Sequence, residues 1–322
     1  MLAACGQMPR IEVRLGAGDQ PTRFIAFATG DEPQAVRIAQ HILEANGTAA
    51  DAAAALALGL AVTLPSAAGL GGGGACLVRQ HDEPTVRALQ MPRLAPGVRV
   101  LQSTYGRLPW TQVVTPAENL ARFGHPLSQA LAIHLHDAGP LMNDAAALAT
   151  FMNANRQILR AGETLTQPAL AEALAAVRTR AAEESDIPTW RNAAVIDRAA
   201  QRGFVLAPAA EKPTTAATSF IVGDEAGDVV ACVLTLGRLF GAGRIQPGEG
   251  YLQADAAAVH DAALDANITL DRASGRLHSA RAAGAFTNTL DCAAQNELGT
   301  ETCEAATDAR GAGLAVMLTK DR

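Results

Sequence analysis

The chain of 322 residues is poor in lysine and in aromatic side chains, with two lysines against 24 arginines and only 4% Phe, Trp and Tyr. Its 26 basic and 32 acidic residues give a formal net charge of −6. A nucleic-acid-binding protein shows a basic face or stripe, and this charge balance argues against one. The scarcity of aromatic rings excludes an extensive stacking surface for bases or sugars. We therefore expect no nucleic-acid partner.

No apolar run approaches the roughly 20 residues that a membrane-spanning helix needs. The N-terminus nevertheless points to a membrane, because Met1 is followed by Leu-Ala-Ala-Cys-Gly, which is similar to a bacterial lipobox. In a lipobox the cysteine, here Cys5, carries a lipid that anchors the protein without spanning the bilayer. The charged region and apolar stretch of a secretory signal do not precede it. The expectation is a periplasmic protein, lipid-anchored to the outer membrane, whose true start lies upstream and whose residues 1–24 are lipobox and tether.

The other four cysteines form two groups by their surroundings. Cys292 and Cys303 have ten residues between them in a polar segment, and in an oxidising periplasm they could close a disulfide loop. Cys76 and Cys232 lie in apolar, strand-like runs and are predicted to be small buried hydrophobic residues. The absence of CxxC spacing argues against a structural zinc site.

His134 and His136, followed by Asp137, are the remaining candidates for metal ligands. Residues two apart on a helix point to different faces, so this pattern does not favour a metal site. We therefore expect neither a metal nor another cofactor.

The hydrophobic pattern separates helices from hairpins. It predicts an amphipathic helix over 33–46 with Asp31 as its N-cap, and an apolar, buried helix over 48–63. It also predicts strand hairpins at 75–79 with 85–90 and at 219–223 with 229–235, a helical region over 103–180, and a strand pair near 268–277. Helices segregated from antiparallel hairpins indicate an α+β fold with helices packed on sheets.

A glycine loop at 69–74 matches the pattern G-x-G-x-x-G. A dinucleotide site needs this loop between a strand and a helix, so that the phosphates meet a helix N-terminus. Here the loop follows a helix and precedes a strand. We reject a nucleotide site and expect the glycines to allow two backbones to approach closely.

Three blocks of sequence resemble the γ-glutamyltransferase family. Residues 42–78 (ILEANGTAADAAAALALGLAVTLPSAAGLGGGGACLV) are similar to its helix, its G-N-A-[AV]-D-A-A helix start and its P-x-x-[SA]-G-x-G-G-G loop. The segment 105–110 (YGRLPW), with 116–128, is similar to its Y-G-x-L-P-W…P-A…G-[FH]-P-[VL]-S block. Residues 220–243 resemble its strand hairpin, and the tail from residue 308 resembles its closing strand.

The resemblance implies the four-layer αββα sandwich of the N-terminal-nucleophile hydrolases, in a reduced form because family members are far longer. It implies one domain over 25–322, with 25–216 equivalent to the large subunit and 217–322 to the small subunit. In the family, a precursor cuts itself before a threonine, which then transfers γ-glutamyl groups from glutathione-like donors. An ordinary alcohol is a poor nucleophile, so this threonine needs its freed α-amine as base and an oxyanion hole.

Ala217 occupies the position of that threonine when the hairpins are aligned without gaps. Thr218 is one residue along, which on a strand places its side chain on the opposite face. Thr215 shares the face of Ala217 but lies about 6.6 Å away at two strand rises, beyond the ~3 Å geometry of attack. Thr235 keeps the place of the threonine that supports the nucleophile. Either Thr218 or Thr215 could replace the nucleophile only through a shift of register.

The substrate-binding positions are changed as well. The family's carboxylate-binding arginine falls on Pro92, and Arg93 beside it is the candidate replacement. Gly284 keeps half of the Gly-Gly oxyanion loop, whereas the family's serine pair falls on Ala262 and Ala263.

These losses favour a pseudoenzyme over an enzyme: a γ-glutamyltransferase-like protein that has lost processing and transfer. Its expected role is that of a binding or structural component at the periplasmic face of a membrane. The alternative is an active γ-glutamyl or amide hydrolase or transferase using Thr218 or Thr215, and only then is a γ-glutamyl small molecule the expected substrate. A third hypothesis, prompted by the lipobox, is an interaction subunit with a membrane-associated protein partner.

Overall fold

A computed structural model of the chain describes most of residues 23–320. The described ranges are 23–83, 85–138, 144–179, 189–192, 194–198, 201–205, 216–245, 248–255, 265–270, 277–284, 287–293, 302–307 and 313–320. Cys5 and Thr215, and the positions 262 and 263 of the family's serine pair, lie outside them.

Helices occupy the first half of the chain and strands dominate the second. The helices are α1 (Pro33–Glu44), α2 (Ala49–Thr63), α3 (Leu94–Tyr105), α4 (Trp110–Phe123), α5 (Gln129–Ala138), α6 (Ala145–Thr150) and α7 (Pro168–Thr179). The strands are β1 (Arg23–Gly30), β2 (Gly73–Arg79), β3 (Val86–Met91), β4 (His125–Pro126), β5 (Thr164–Leu165), β6 (Thr189–Asn192), β7 (Ala194–Arg198), β8 (Gln201–Val205), β9 (Ala217–Gly223), β10 (Val229–Thr235), β11 (Asp265–Leu270), β12 (Leu277–Ala283), β13 (Thr287–Ala293), β14 (Thr302–Thr307) and β15 (Leu314–Lys320). Both predicted hairpins and both predicted N-terminal helices are confirmed.

Two antiparallel sheets pack face to face. The first sheet has the strand order β15-β1-β9-β10-β2-β3-β6, and the second has the order β14-β13-β12-β11-β8-β7. The inner faces meet through contacts of β9 and β10 with β11 and β12. Helices α1, α2 and α3 cover the outer face of the first sheet. The principal helix–strand contacts all involve the first sheet. Among the described residues the layers are therefore αββ, and the second helical layer of the predicted αββα sandwich is not seen among them.

The central strands of the first sheet are buried on both faces because they separate two apolar cores. Every residue of β2, β9 and β10 is buried. Phe220 and Val222 of β9 belong to the core shared with the helices, whereas Ala217 and Ile221 belong to the core between the sheets. This alternation has the period of two that a pleated strand requires. It fixes which core each side chain at the start of β9 faces.

The buried carboxylate of Asp51 organises the start of α2. It completes a capping box with Thr48, whose hydroxyl accepts from the Asp51 backbone N–H while the carboxylate accepts from the Thr48 N–H. The same carboxylate accepts from the backbone N–H groups of Arg107 and Leu108 and from the Gln102 side-chain amide. The helix start at 48–51 and the YGRLPW block are thus joined by one side chain.

The pairing of β2 with β10 corrects one prediction about the cysteines. Cys76 and Cys232 are buried as expected, but they form a disulfide with each other. They are direct partners in the β2–β10 register, although 156 residues separate them along the chain. The sequence does not indicate which strands become neighbours, so this pair was not predicted. Cys292 and Cys303 are likewise direct partners, in β13 and β14, and are joined by a disulfide.

Within the described residues, no helix combines the length and the apolar character that crossing a bilayer requires.

Candidate functional site

The start of β9, where the family's nucleophile would lie, contains a packed hydrocarbon side chain. Ala217 is paired with Thr235 of β10, which is paired in turn with Gly73 of β2. The Ala217 methyl group faces the core between the sheets and is 1% exposed. This position therefore offers neither an oxygen atom nor open space for a substrate.

Thr235, opposite Ala217, has a hydroxyl group that forms two hydrogen bonds. It donates to the carbonyl oxygen of Ala216 at 2.9 Å and accepts from the backbone N–H of Gly237 at 2.8 Å. The Ala216 carbonyl belongs to the peptide bond that precedes residue 217. Thr235 thus holds the peptide bond that self-cleavage would have to break, and it is itself 1% exposed.

Thr218 lies on the face of β9 opposite Ala217, as its offset of one residue predicts. Its side chain is fully buried, and the hydroxyl donates to Oδ2 of Asp31 at 2.9 Å. A carboxylate beside a hydroxyl can accept a proton, which is one requirement of a nucleophile–base pair. The other requirement, access for a substrate, is not met by a side chain with no exposed surface.

The prediction that Asp31 caps α1 is wrong. The N-cap residue of α1 is Glu32. The Asp31 carboxylate is fully buried and accepts from the Thr218 hydroxyl, the Ser219 backbone N–H and the Asn288 side-chain amide. The energetic reason is that a buried carboxylate needs several donors, and the start of β9 supplies them.

Asn288 of β13 extends this polar cluster to the second sheet. Its amide also donates to the carbonyl and hydroxyl oxygens of Ser219, and its own oxygen accepts from the Thr29 hydroxyl. Ser219 in turn donates to the carbonyl oxygen of Ala282 in β12. The cluster is a set of satisfied hydrogen bonds that ties the sheets together. No motif in the sequence around Asn288 marks it as a member of this cluster.

Gly284 is brought directly against the nucleophile position. A Cβ atom on this residue would lie 2.7 Å from the carbonyl oxygen of Ala217 and 2.7 Å from the Cα atom of Thr218. Only glycine allows the turn after β12 to approach the β9 backbone this closely. Gly284, for which the resemblance implies a place in an oxyanion loop, therefore lies next to residue 217.

Arg93 lies at the same end of the first sheet but farther away. It is the N-cap residue of α3, two residues beyond Met91 of β3. Three strand spacings of ~4.8 Å separate β3 from β9, which places its backbone about 14 Å from that of Ala217. Arg93 is exposed and hydrogen-bonds with Tyr251. Burial, followed by the neighbouring Glu249, raises the pKa of Tyr251 to about 12, so its hydroxyl stays neutral.

The histidines considered as metal ligands have separate partners. His134 Nδ1 hydrogen-bonds with the Ser66 hydroxyl at 2.7 Å, whereas His136 is exposed beside Asp137. Burial lowers the pKa of His134 below its usual value. Over the part of the chain that the structure describes, no group of three His, Cys, Asp or Glu residues lies together in a way that could hold a metal ion.

Comparison with known proteins shows which family and which fold this chain resembles. The family described as Gamma-glutamyltranspeptidase matches residues 35–99 and 95–185. The glutathione hydrolase proenzyme of Escherichia coli is 30% identical over 186 residues, covering 47% of this chain and 32% of the relative. That of Pseudomonas aeruginosa is 27% identical over 191 residues, covering 49% and 33%. The capsule biosynthesis protein CapD proenzyme of Bacillus anthracis is 27% identical over 182 residues, covering 52% and 33%. The chain thus spans about a third of the length of these curated relatives.

The cephalosporin acylase from Bacillus halodurans has a similar structure, with a TM-score of 0.72 at 12% identity. The superposition covers 94% of this chain and 97% of that one. At this identity the likeness concerns the fold alone. It confirms the predicted α+β fold over almost the whole chain, including the residues after 185, to which the family match does not extend.

Proposed function

We propose that this chain, a member of the γ-glutamyltranspeptidase family, has lost self-cleavage and γ-glutamyl transfer and acts as a binding or structural component. The observation that carries the proposal is the buried methyl group of Ala217, in the place of the hydroxyl on which both reactions depend. A nucleophile needs an oxygen, sulfur or nitrogen atom that can share an electron pair, and a methyl group has none.

The groups around Ala217 support this interpretation because they hold the backbone and do not attack it. Thr235 fixes the carbonyl of Ala216, and Gly284 lies against the start of β9. Such groups can stabilise charge on a carbonyl oxygen once a nucleophile has added to it. Without that addition they act only as structural hydrogen bonds and contacts.

The test is to measure the mass of the purified protein and its activity on a chromogenic γ-glutamyl amide. We expect one uncut polypeptide and a release rate equal to the uncatalysed background. Two fragments separated next to residues 214–218, together with measurable hydrolysis, would contradict the proposal.

A second candidate function is hydrolysis or transfer of a γ-glutamyl or other amide by a shifted threonine. The contact of Thr218 with Asp31 favours it, because the carboxylate is placed to receive the hydroxyl proton. Thr215 is the other candidate nucleophile. If this function is correct, a Thr218→Ala or a Thr215→Ala variant loses an activity that the wild-type protein has. Equal background rates in all three proteins would exclude it.

The proposed location is the periplasm, with Cys5 as the site of a lipid anchor in the outer membrane. The lipobox-like start supports the anchor, and the two cross-strand disulfides are compatible with an oxidising compartment. Expression with an upstream secretory signal and a radiolabelled fatty acid should label the wild-type protein but not a Cys5→Ser variant. Equal labelling of both proteins would exclude Cys5 as the attachment site.

A membrane-associated protein is the partner proposed for this non-catalytic role. Cross-linking in intact cells, followed by capture from the membrane fraction, should recover a partner with wild-type protein. The Cys5→Ser variant should recover less of it, because it is no longer held at the membrane. Recovery of the chain alone from both preparations would argue for a structural role without a stable partner.

A further inference from the structure

The connection between α1 and α2 contains the only Asn–Gly pair of the chain, Asn46 followed by Gly47. Helix α1 ends here in a Schellman motif. The backbone N–H of Asn46 donates to the carbonyl oxygen of Leu43 at 2.9 Å, and that of Gly47 donates to the carbonyl oxygen of Ile42 at 2.8 Å. Asn46 is exposed and has a φ of 65°, a conformation that asparagine adopts more readily than most residues. The end of the helix thus accounts for asparagine at this position.

Gly47 cannot be exchanged for a residue with a side chain without a shift of the backbone. A Cβ atom on it would lie 2.6 Å from Cγ2 and 2.7 Å from the carbonyl oxygen of Ile42. The fold therefore requires a glycine directly after Asn46. The pair is chemically sensitive, because asparagine is thermolabile and a following glycine leaves its own backbone nitrogen unshielded.

The reaction to which this pair is prone needs no enzyme. The backbone nitrogen of Gly47 bonds to Cγ of Asn46, and the bond from Cγ to the side-chain nitrogen breaks. That nitrogen leaves as ammonia together with the proton of the Gly47 N–H, and a cyclic succinimide remains. Water then adds to one of the two ring carbonyl carbons and opens the ring to aspartate or isoaspartate. The first step requires the nitrogen and Cγ to approach to about 3–3.5 Å in the right orientation.

Arg107 holds the side chain of Asn46 in an orientation that opposes this step. Its Nε donates to the backbone carbonyl oxygen of Asn46, and its Nη2 donates to Oδ1 of the same residue at 2.6 Å. Nε and Nη2 form one edge of the planar guanidinium, so the two oxygens lie side by side. In a planar peptide group the carbonyl oxygen and the next nitrogen lie on different sides of the carbonyl carbon. The side chain is therefore turned toward this oxygen and away from the nitrogen of Gly47.

We propose that Asn46 and Gly47 form a latent deamidation site, which Arg107 and the end of α1 keep unreactive. The guanidinium keeps Cγ of Asn46 away from the attacking nitrogen. The hydrogen bond to Ile42 retains the proton that this nitrogen must lose. An isoaspartate formed here would add a methylene to the backbone directly before the capping box of Thr48, and so would disturb the start of α2. The site does not depend on the proposed loss of catalysis.

The experiment is peptide mapping by mass spectrometry of the full chain, incubated at mildly alkaline pH below its unfolding temperature. Deamidation appears as the mass gain that accompanies conversion of the Asn46 amide to a carboxylate. We expect slow conversion in the wild-type protein and conversion about twofold to fivefold faster in Arg107→Ala, as for the loss of about one net hydrogen bond. Arg107→Lys keeps the charge but not the planar fork and should also convert faster than wild type. Arg37→Ala, which removes an exposed arginine of α1, is the matched control and should convert at the wild-type rate.

Two further samples separate local protection from general stability. Wild-type protein unfolded in urea gives the rate of the unprotected pair and should convert fastest. Leu290→Ala opens a cavity in the core between the sheets and should convert at the wild-type rate, although it is less stable.

The proposal is overturned if folded wild-type protein converts as fast as the unfolded chain, or if Arg107→Ala converts no faster than wild type. Equal acceleration in Leu290→Ala and Arg107→Ala would also overturn it, because general unfolding would then explain both rates. The comparison of folded with unfolded wild-type protein decides alone should the variants fold poorly.

Discussion

The start of α2 and the start of β9 both lie in segments that resemble the family, yet the two segments retain different features of it. Around Asp51 the capping box is complete, and the carboxylate also accepts hydrogen bonds from residues 51 to 57 positions further along the chain. Around Ala217 the groups that hold the backbone remain, and the atom that would react is missing. A retained motif in this chain therefore indicates a shared fold and not a shared activity. Its residues can be kept for their structural hydrogen bonds after the catalytic group is lost.

The largest effect should come from removing the centre of the α2 region. Asp51→Ala leaves the backbone N–H groups of Arg107 and Leu108 without their acceptor and removes the capping box. We expect the free energy of unfolding to fall by about 3–5 kcal/mol, since buried donors are left unpaired. Urea denaturation measures it. Asp82→Ala, in an exposed turn, is the control and should change the value by less than about 0.5 kcal/mol. A comparable loss of stability in both variants would contradict the structural role of the Asp51 carboxylate.

The next test puts the missing oxygen back at the start of β9. Ala217→Thr and Ala217→Val add side chains of the same shape, so both should lose about 1–3 kcal/mol of stability through overpacking of the core between the sheets. Only the threonine variant brings a hydroxyl to the peptide bond that Thr235 holds. We expect slow cleavage before residue 217 in Ala217→Thr and none in Ala217→Val, measured by intact mass.

Transfer of γ-glutamyl groups should remain absent in Ala217→Thr, because Pro92 occupies the position of the family's carboxylate-binding arginine and the neighbouring Arg93 hydrogen-bonds with Tyr251. If neither variant is cut, the loss of function extends beyond one atom, and the contrast between the two regions becomes weaker. If both are cut, the cleavage comes from contaminating protease.

A smaller effect is expected at Thr235. Thr235→Val preserves the shape of the side chain but leaves the carbonyl of Ala216 and the N–H of Gly237 without their partner. The loss should be about 1–2 kcal/mol, within the range for buried groups left unsatisfied. In the Ala217→Thr background the same change should also slow cleavage. A variant that is as stable as wild type would show that Thr235 is retained without structural need.

The two regions also differ in how far the sequence predicted them. The hairpins, the buried α2 and the position of residue 217 follow from periodicity and from motifs with fixed spacing. The alternation along β9 then predicts the face of Thr218 correctly. What could not be predicted depends on strands meeting across long separations. The position of Asp31 before α1 predicts an N-cap. Its hydrogen-bond donors instead come from β9 and β13, about 190 and 260 residues away, and no local pattern indicates them.

The cysteines show the same limit. Cys292 and Cys303 are close in the chain, and a short hairpin brings them together, whereas Cys76 and Cys232 meet only because β10 pairs with β2. A local pattern identifies both cysteines of the second pair as buried. It contains no information on strand order, so burial was predicted and the bond was not. The polar cluster between the sheets was missed for the same reason.

The smallest losses of stability are expected for two exposed arginines, one from each region. Arg107 donates to the backbone and side-chain oxygens of Asn46 at the end of α1, and so supports the same loop that Asp51 holds. Arg107→Ala should cost about 0.5–1 kcal/mol, the lower part of the range for a hydrogen bond, because water replaces part of what is lost. Arg93→Ala should cost less than about 0.5 kcal/mol, since the residue is exposed and water can replace much of its hydrogen bond with Tyr251. Thermal unfolding of the two variants in one buffer measures the difference. If Arg93→Ala proves the more costly, Arg93 has a role at this end of the first sheet beyond its exposed position. A search for a ligand of Arg93 would then be the next experiment.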